Sequence, residues 1–111
     1  MDIMVTIPKN KLKDIEKEET WAKKQINAQC FWSISKVPKK LKSGDKVFFV
    51  ENGMIKSYNI FIGIDYDCIC EVTGTKWPGL NLIMKAPSVT LEKPIPMKGF
   101  RGFRYTSVIT E

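Results

Sequence analysis

Between Gly99 and Tyr105 the chain reads Gly-Phe-Arg-Gly-Phe-Arg-Tyr, two Gly-aromatic-Arg triplets that run into a tyrosine. These residues combine backbone freedom, flat rings and fixed positive charge, which are the means of contact with a nucleic acid. Arg101 and Arg104 are planar bidentate donors to phosphate or a guanine edge, and Phe100, Phe103 and Tyr105 offer surfaces on which unpaired bases stack. Lys98 adds a point charge just upstream. The same run also suits a structural role, as a glycine-bent lead into a last strand with the phenylalanines in the core. In a continuous strand Phe100, Gly102 and Arg104 share one face, and Arg101, Phe103 and Tyr105 share the other. Both faces cannot be core, so Phe103 is expected to be buried and both arginines exposed. A positive φ at Gly99 or Gly102 is the device that would break the alternation.

Charge distribution supplies a second candidate segment. The formal charge is +6, from 18 Lys and Arg against 12 Asp and Glu, and it is unevenly spread. Lys36, Lys39, Lys40, Lys42 and Lys46 face one nearby acid, Asp45, whereas Lys93, Lys98, Arg101 and Arg104 lie in a stretch without any. Residues 51 to 71, by contrast, carry Glu51, Asp65, Asp67 and Glu71 against Lys56 alone. If the two basic segments meet in space they form a face that attracts phosphates through counterion release and long-range steering. Taken alone, the Lys36 to Lys46 segment reads as a solvated loop.

The absence of histidine excludes more than any motif adds. Hydrolases with a His base, His-ligated zinc and His proton shuttles all fall away. Cys30, Cys68 and Cys70 are expected to be reduced and mostly buried, with no metal and no cofactor. An odd cysteine count without a secretory signal fits a cytoplasmic protein, and no run approaches a membrane span. Asp65 and Asp67 would share a face of a regular strand, as a carboxylate pair for acid–base work does. A solvent-facing turn at Asp65-Tyr66-Asp67 is the preferred reading. No phosphate-binding glycine loop or dinucleotide fingerprint is present.

The elements that must position these groups follow from periodicity. At 111 residues, with 43% hydrophobic content, the chain is expected to form a single domain, residues 1–111, around one core. Asp2 to Ile7 alternates as a first strand closed by Pro8. Leu12, Ile15, Glu19, Ala22 and Ile26 then step by three and four, a mostly apolar stripe interrupted by Glu19, predicting a helix from about Lys9 or Asn10 to Asn27. After it the period becomes two. Cys30 to Lys36 and Lys46 to Val50 read as strands, the second apolar on both faces and hence central. Asn52-Gly53 is a tight hairpin turn. Met54 to Asp65 and Asp67 to Thr73 read as two strands, or one long strand broken by a bulge near Gly63. Trp77-Pro78-Gly79 marks a loop before Leu80 to Lys85, Val89 to Leu91 is an edge between prolines, and Phe103 to Ile109 closes the chain. Trp32 is read chiefly as core, and Trp77, in its loop, as the better stacking platform.

Four stretches, taken in order, resemble the PUA-like superfamily of small β-barrels, which includes the PUA, ASCH, EVE and YTH domains. They are Phe31-Trp32-Ser33-Ile34, the block from Gly44 to Phe49, Ile62-Gly63-Ile64 leading to Cys70-Glu71-Val72, and Leu82 to Leu91 leading to Lys93-Pro94. The resemblance implies an α+β, mainly β fold: a small PUA-like barrel of six or seven strands with the N-terminal helix packed across it. It implies a non-enzymatic module that binds RNA or base-modified nucleic acid through a basic face and a pocket beside the barrel. That face would comprise Lys39, Lys40, Lys42, Lys98, Phe100, Arg101, Arg104 and Tyr105, with Trp32 and Trp77 at the pocket. ASCH-type amidohydrolases that act on modified nucleosides use a Lys, Thr and Glu arrangement, for which Thr20, Lys23 or Lys24 and Glu71 stand as candidates. The flanking motif around that Lys and Thr is missing here. A protein-interaction module with an acidic partner is the third reading.

Overall fold

The structure, a computed structural model, describes residues 1–8, 20, 29–69, 74 and 76–106. Among these the elements are seven strands: β1 (Asp2–Thr6), β2 (Gln29–Ser33), β3 (Lys46–Glu51), β4 (Met54–Ile69), β5 (Lys76–Lys85), β6 (Val89–Pro96) and β7 (Phe103–Thr106). The mainly β character read from the period-two pattern is therefore present. The helix expected from about residue 9 to 27 lies outside the described residues apart from Thr20, as do the end of the last expected strand and Cys70.

The strands form one mixed sheet in the order β2-β5-β4-β3-β1-β7, with β6 on β4. β3 is central, as its two apolar faces require: it pairs in parallel with β1 and antiparallel with β4. Val47 and Phe49 pack on one side of the sheet while Phe48 and Val50 pack on the other. Asn52 and Gly53 turn β3 into β4 with φ values of 49° and 76°, the left-handed pair that an Asn-Gly hairpin supplies at little strain. The preceding turn is pinned to β4, since Gly44 donates its N–H to Phe61 O at 2.9 Å and Phe61 donates to Asp45 O at 2.8 Å.

Residues 54–69 form one strand rather than two. β3 occupies one edge of its first half; the opposite edge carries β6 near Met54–Tyr58 and passes to β5 from Phe61 onward. The handover coincides with an irregularity between Phe61 and Gly63, and a second lies between Tyr66 and Cys68. Such extra residues bend a strand and allow one strand to serve several partners. Two sequence expectations are corrected here. Trp77, Pro78 and Gly79 belong to β5, paired with the end of β4, because the second bulge absorbs them into the ladder. β6 runs to Pro96, since its prolines sit on an edge where no ladder N–H is needed.

Two apolar clusters flank the sheet. The inner one joins Ile3, Val5, Val47, Phe49, Phe61, Leu82 and Met84 with Cys30, Trp32, Phe103 and Tyr105, and so draws on every strand but β6. The outer one joins Met4, Phe48, Val50, Ile55 and Leu91 with Tyr58, Ile95, Met97 and Phe100. A shared interior implies a strongly curled sheet, yet the barrel is not closed. Among the described residues no ladder joins the two ends of the sheet, β2 and β7. The expected closed barrel is corrected accordingly: the chain leading into β7, residues 97–102, is an irregular strap with Gly102 at φ 71°, and it presents no strand edge to β2.

Candidate functional site

The Gly-Phe-Arg repeat resolves into two triplets with opposite roles. Phe100 joins the outer cluster, whereas Phe103 and Tyr105 pack on the inner one, edge to face with ring centroids 5.4 Å apart. Arg101 and Arg104 are exposed, and the Arg104 guanidinium lies over the Phe100 ring at 4.6 Å. The positive φ at Gly102 separates strap from strand, and the side-to-side alternation survives it: Phe100 and Arg104 lie on the outer side, Phe103 and Tyr105 on the inner. The three rings are half-buried rather than presented as open platforms.

The lysine turn touches the tail at Tyr105, just past the second basic segment. Tyr105 accepts the Lys40 backbone N–H at its hydroxyl, 3.1 Å away, and the Lys40 ammonium lies 5.7 Å from the Tyr105 ring centroid. Lys39, Lys40 and Lys42 are all exposed on this turn, which Leu41 anchors in the inner cluster. Asp45 closes the turn by accepting the Lys42 N–H at 2.8 Å and by pairing with the Met1 ammonium. Those two hydrogen bonds, the ammonium's first, hold the Asp45 carboxyl below the usual carboxylate range. Lys98 is exposed on the strap.

Where the seam between β2 and the strap stays open there is a cleft of about 380 Å³, lined by Val5, Thr6 and Pro8 from β1 and its end, by Trp32, Ser33, Ile34 and Ser35 from β2 and its end, and by Phe100, Arg101 and Gly102 from the strap. Trp32 packs edge-on against Phe49 with centroids 5.3 Å apart and also lines the cleft. Of the described residues that line it, Arg101 alone is charged. Its described lining therefore combines an indole, three hydroxyls and a guanidinium, with no carboxylate among the described residues.

Other candidates are not brought here. Trp77 pairs with Cys68 on the β4–β5 ribbon, five residues along β5 from Leu82, the partner of Trp32. Asp65 and Asp67 form no carboxylate pair. Asp67 adopts φ 55° and accepts the Gly79 N–H at 2.8 Å, while Asp65 accepts the Tyr66 N–H at 2.7 Å, so each carboxylate serves the local backbone. They lie within β4 rather than in a free turn. Burial pushes the Cys68 thiol up, and Asp65 and then Asp67 add to the rise, which disfavours a reactive thiolate. Among the described residues no cluster of three His, Cys, Asp or Glu could hold a metal ion, and no helix is long and apolar enough to cross a membrane. Thr20 is exposed; Lys23, Lys24 and Glu71 lie outside the described residues.

Residues that sequence reasoning missed are Thr6 and Ser33, which line the cleft from β1 and β2. Their hydroxyls carry no motif, and the sole available signal was their position at the ends of strands whose neighbours are apolar. In comparisons with known proteins, no family model matches the chain, and no curated protein or solved structure matches it.

Proposed function

We propose that the protein is a non-enzymatic nucleic-acid-binding module of PUA-like type that engages single-stranded RNA or a base-modified strand. The observation that carries this reading is the cleft in which Trp32 and Arg101 stand together with no acid among the described lining residues. An indole beside a guanidinium suits one unpaired base and its phosphate, the combination on which single-strand binding rests. The Lys39 to Lys42 turn, held to β7 through Tyr105, extends the positive surface along which a backbone can run. Trp32 packs on the inner cluster as Phe103 and Tyr105 do, but it lines the cleft and they do not, so Trp32 supplies the stacking surface.

The test is a titration of labelled single-stranded RNA, single-stranded DNA, a base-modified strand and an acidic peptide of matched charge, followed by anisotropy at low salt. Saturable binding of a single strand is expected, and Trp32→Leu, which keeps apolar contact with Phe49, weakens it by roughly 5- to 100-fold, the range for loss of one base stack. Binding of the acidic peptide alone would replace the proposal with the protein-interaction reading.

A further inference from the structure

The strap that carries Arg101 is irregular, yet it is held at one point with some care. Phe100 donates its backbone N–H to the Thr6 hydroxyl at 3.1 Å, and a Cβ built on the preceding Gly99 would meet Thr6 Cγ2 at 3.3 Å. Thr6 ends β1 and is paired with Val50 through the parallel ladder, so it stands on the central part of the sheet. Its side chain therefore joins the central part of the sheet to the residue immediately before Arg101. At the strap's start Met97 donates its N–H to Gly53 O at 3.0 Å, and beyond Arg101 the Arg104 guanidinium covers the Phe100 ring. Between those ties the Thr6 hydroxyl holds the strap one residue before Arg101, which lines the same cleft as Trp32.

We infer that Thr6 is a positioning residue: through its bond to Phe100 N–H it sets Arg101 against Trp32 across the cleft and so determines how ring and phosphate are engaged together. This rests on the reading of the cleft as the binding site. The chemistry fits a latch. A hydroxyl oxygen accepts the amide proton without charge, while the absence of a side chain at Gly99 permits the close approach of strap and strand. Thr6→Val is nearly isosteric, keeps the strand propensity and ladder of β1, and removes only the acceptor. Gly99→Ala leaves the acceptor but demands a shift of a few tenths of an ångström between strap and β1.

The experiment couples two readouts on the full chain. Amide hydrogen exchange at Phe100, read by NMR, accelerates about tenfold in Thr6→Val while the β1 and β3 amides keep their protection, and Thr6→Ser restores the slow rate. Affinity for a single-stranded RNA oligonucleotide falls about threefold or more in Thr6→Val, is largely restored in Thr6→Ser, and falls no further when Thr6→Val is placed on Arg101→Ala. Additive losses from Thr6→Val and Arg101→Ala would overturn the inference, because a merely structural residue acts independently of Arg101. Unchanged Phe100 exchange in Thr6→Val would overturn it whether or not the oligonucleotide binds. Failure of the wild-type protein to bind any strand, with exchange behaving as expected, sinks the functional reading and with it the role assigned to Thr6, leaving only a hydrogen bond in the fold.

Discussion

Replacing Arg101 and Arg104 together by alanine tests the electrostatic half of the proposal through a slope rather than an affinity. Each phosphate neutralised on a single strand contributes about 0.7 to the slope of log affinity against log salt, so two contacts contribute about 1.4. Over a fourfold rise in salt, from about 50 to 200 mM, the wild-type protein should then lose roughly sevenfold more affinity than the double variant. Both guanidinium groups are on exposed residues and available to phosphate. Arg104 has a second engagement, over the Phe100 ring at 4.6 Å, so its removal also lowers stability by about 0.5–1 kcal/mol. A thermal melt separates that loss from binding. Anisotropy titrations at four salt concentrations provide the slope. Arg101→Lys with Arg104→Lys keeps the slope but lowers the affinity if bidentate geometry matters. A double alanine variant whose slope parallels the wild type would refute the assignment of these arginines to phosphate.

Three further outcomes concern the scaffold. Phe48→Ala, at a fully buried position in the outer cluster against Tyr58, should lower unfolding stability by about 3–5 kcal/mol in urea denaturation. Asp67→Ala removes both the acceptor for Gly79 N–H and a residue tolerant of positive φ, for a loss of about 1–2 kcal/mol that Asp67→Asn should largely avoid. Asp45 has its pKa depressed in the fold, so its contribution is complete above the unfolded carboxylate value and is lost as pH falls through the folded one. Melting temperature followed downward from pH 5 should accordingly drop less steeply in Asp45→Asn than in the wild-type protein.

Much of the framework was legible because it depends on local chemistry. The two apolar faces of residues 46–50 announced a central strand, and Asn52-Gly53 announced the hairpin that follows it. Asp65-Tyr66-Asp67 reads as a solvent-facing turn, whereas it lies within β4, for a reason alternation cannot reveal: Asp67 leaves the extended region without ending the strand, and its carboxylate accepts the Gly79 N–H across the ribbon. Trp77 was placed in a loop because Pro78 and Gly79 usually break strands, whereas a bulge opposite β4 accommodates both. The open seam was equally hidden, since strand count alone does not say whether the first and last edges of a sheet meet.

For the Gly99 to Tyr105 run, the order of residue types by itself determined that rings and guanidinium groups would alternate and that a glycine could separate strap from strand. Those are consequences of side-chain type and backbone freedom, which are local. Tertiary structure decided the rest: that Phe100 and Phe103 enter different cores, that Tyr105 ties the lysine turn to the same edge, and that Arg101 and Trp32 line one cleft. Each of these joins segments tens of residues apart, and only the curl of the sheet, set by packing on both its faces, brings them into contact.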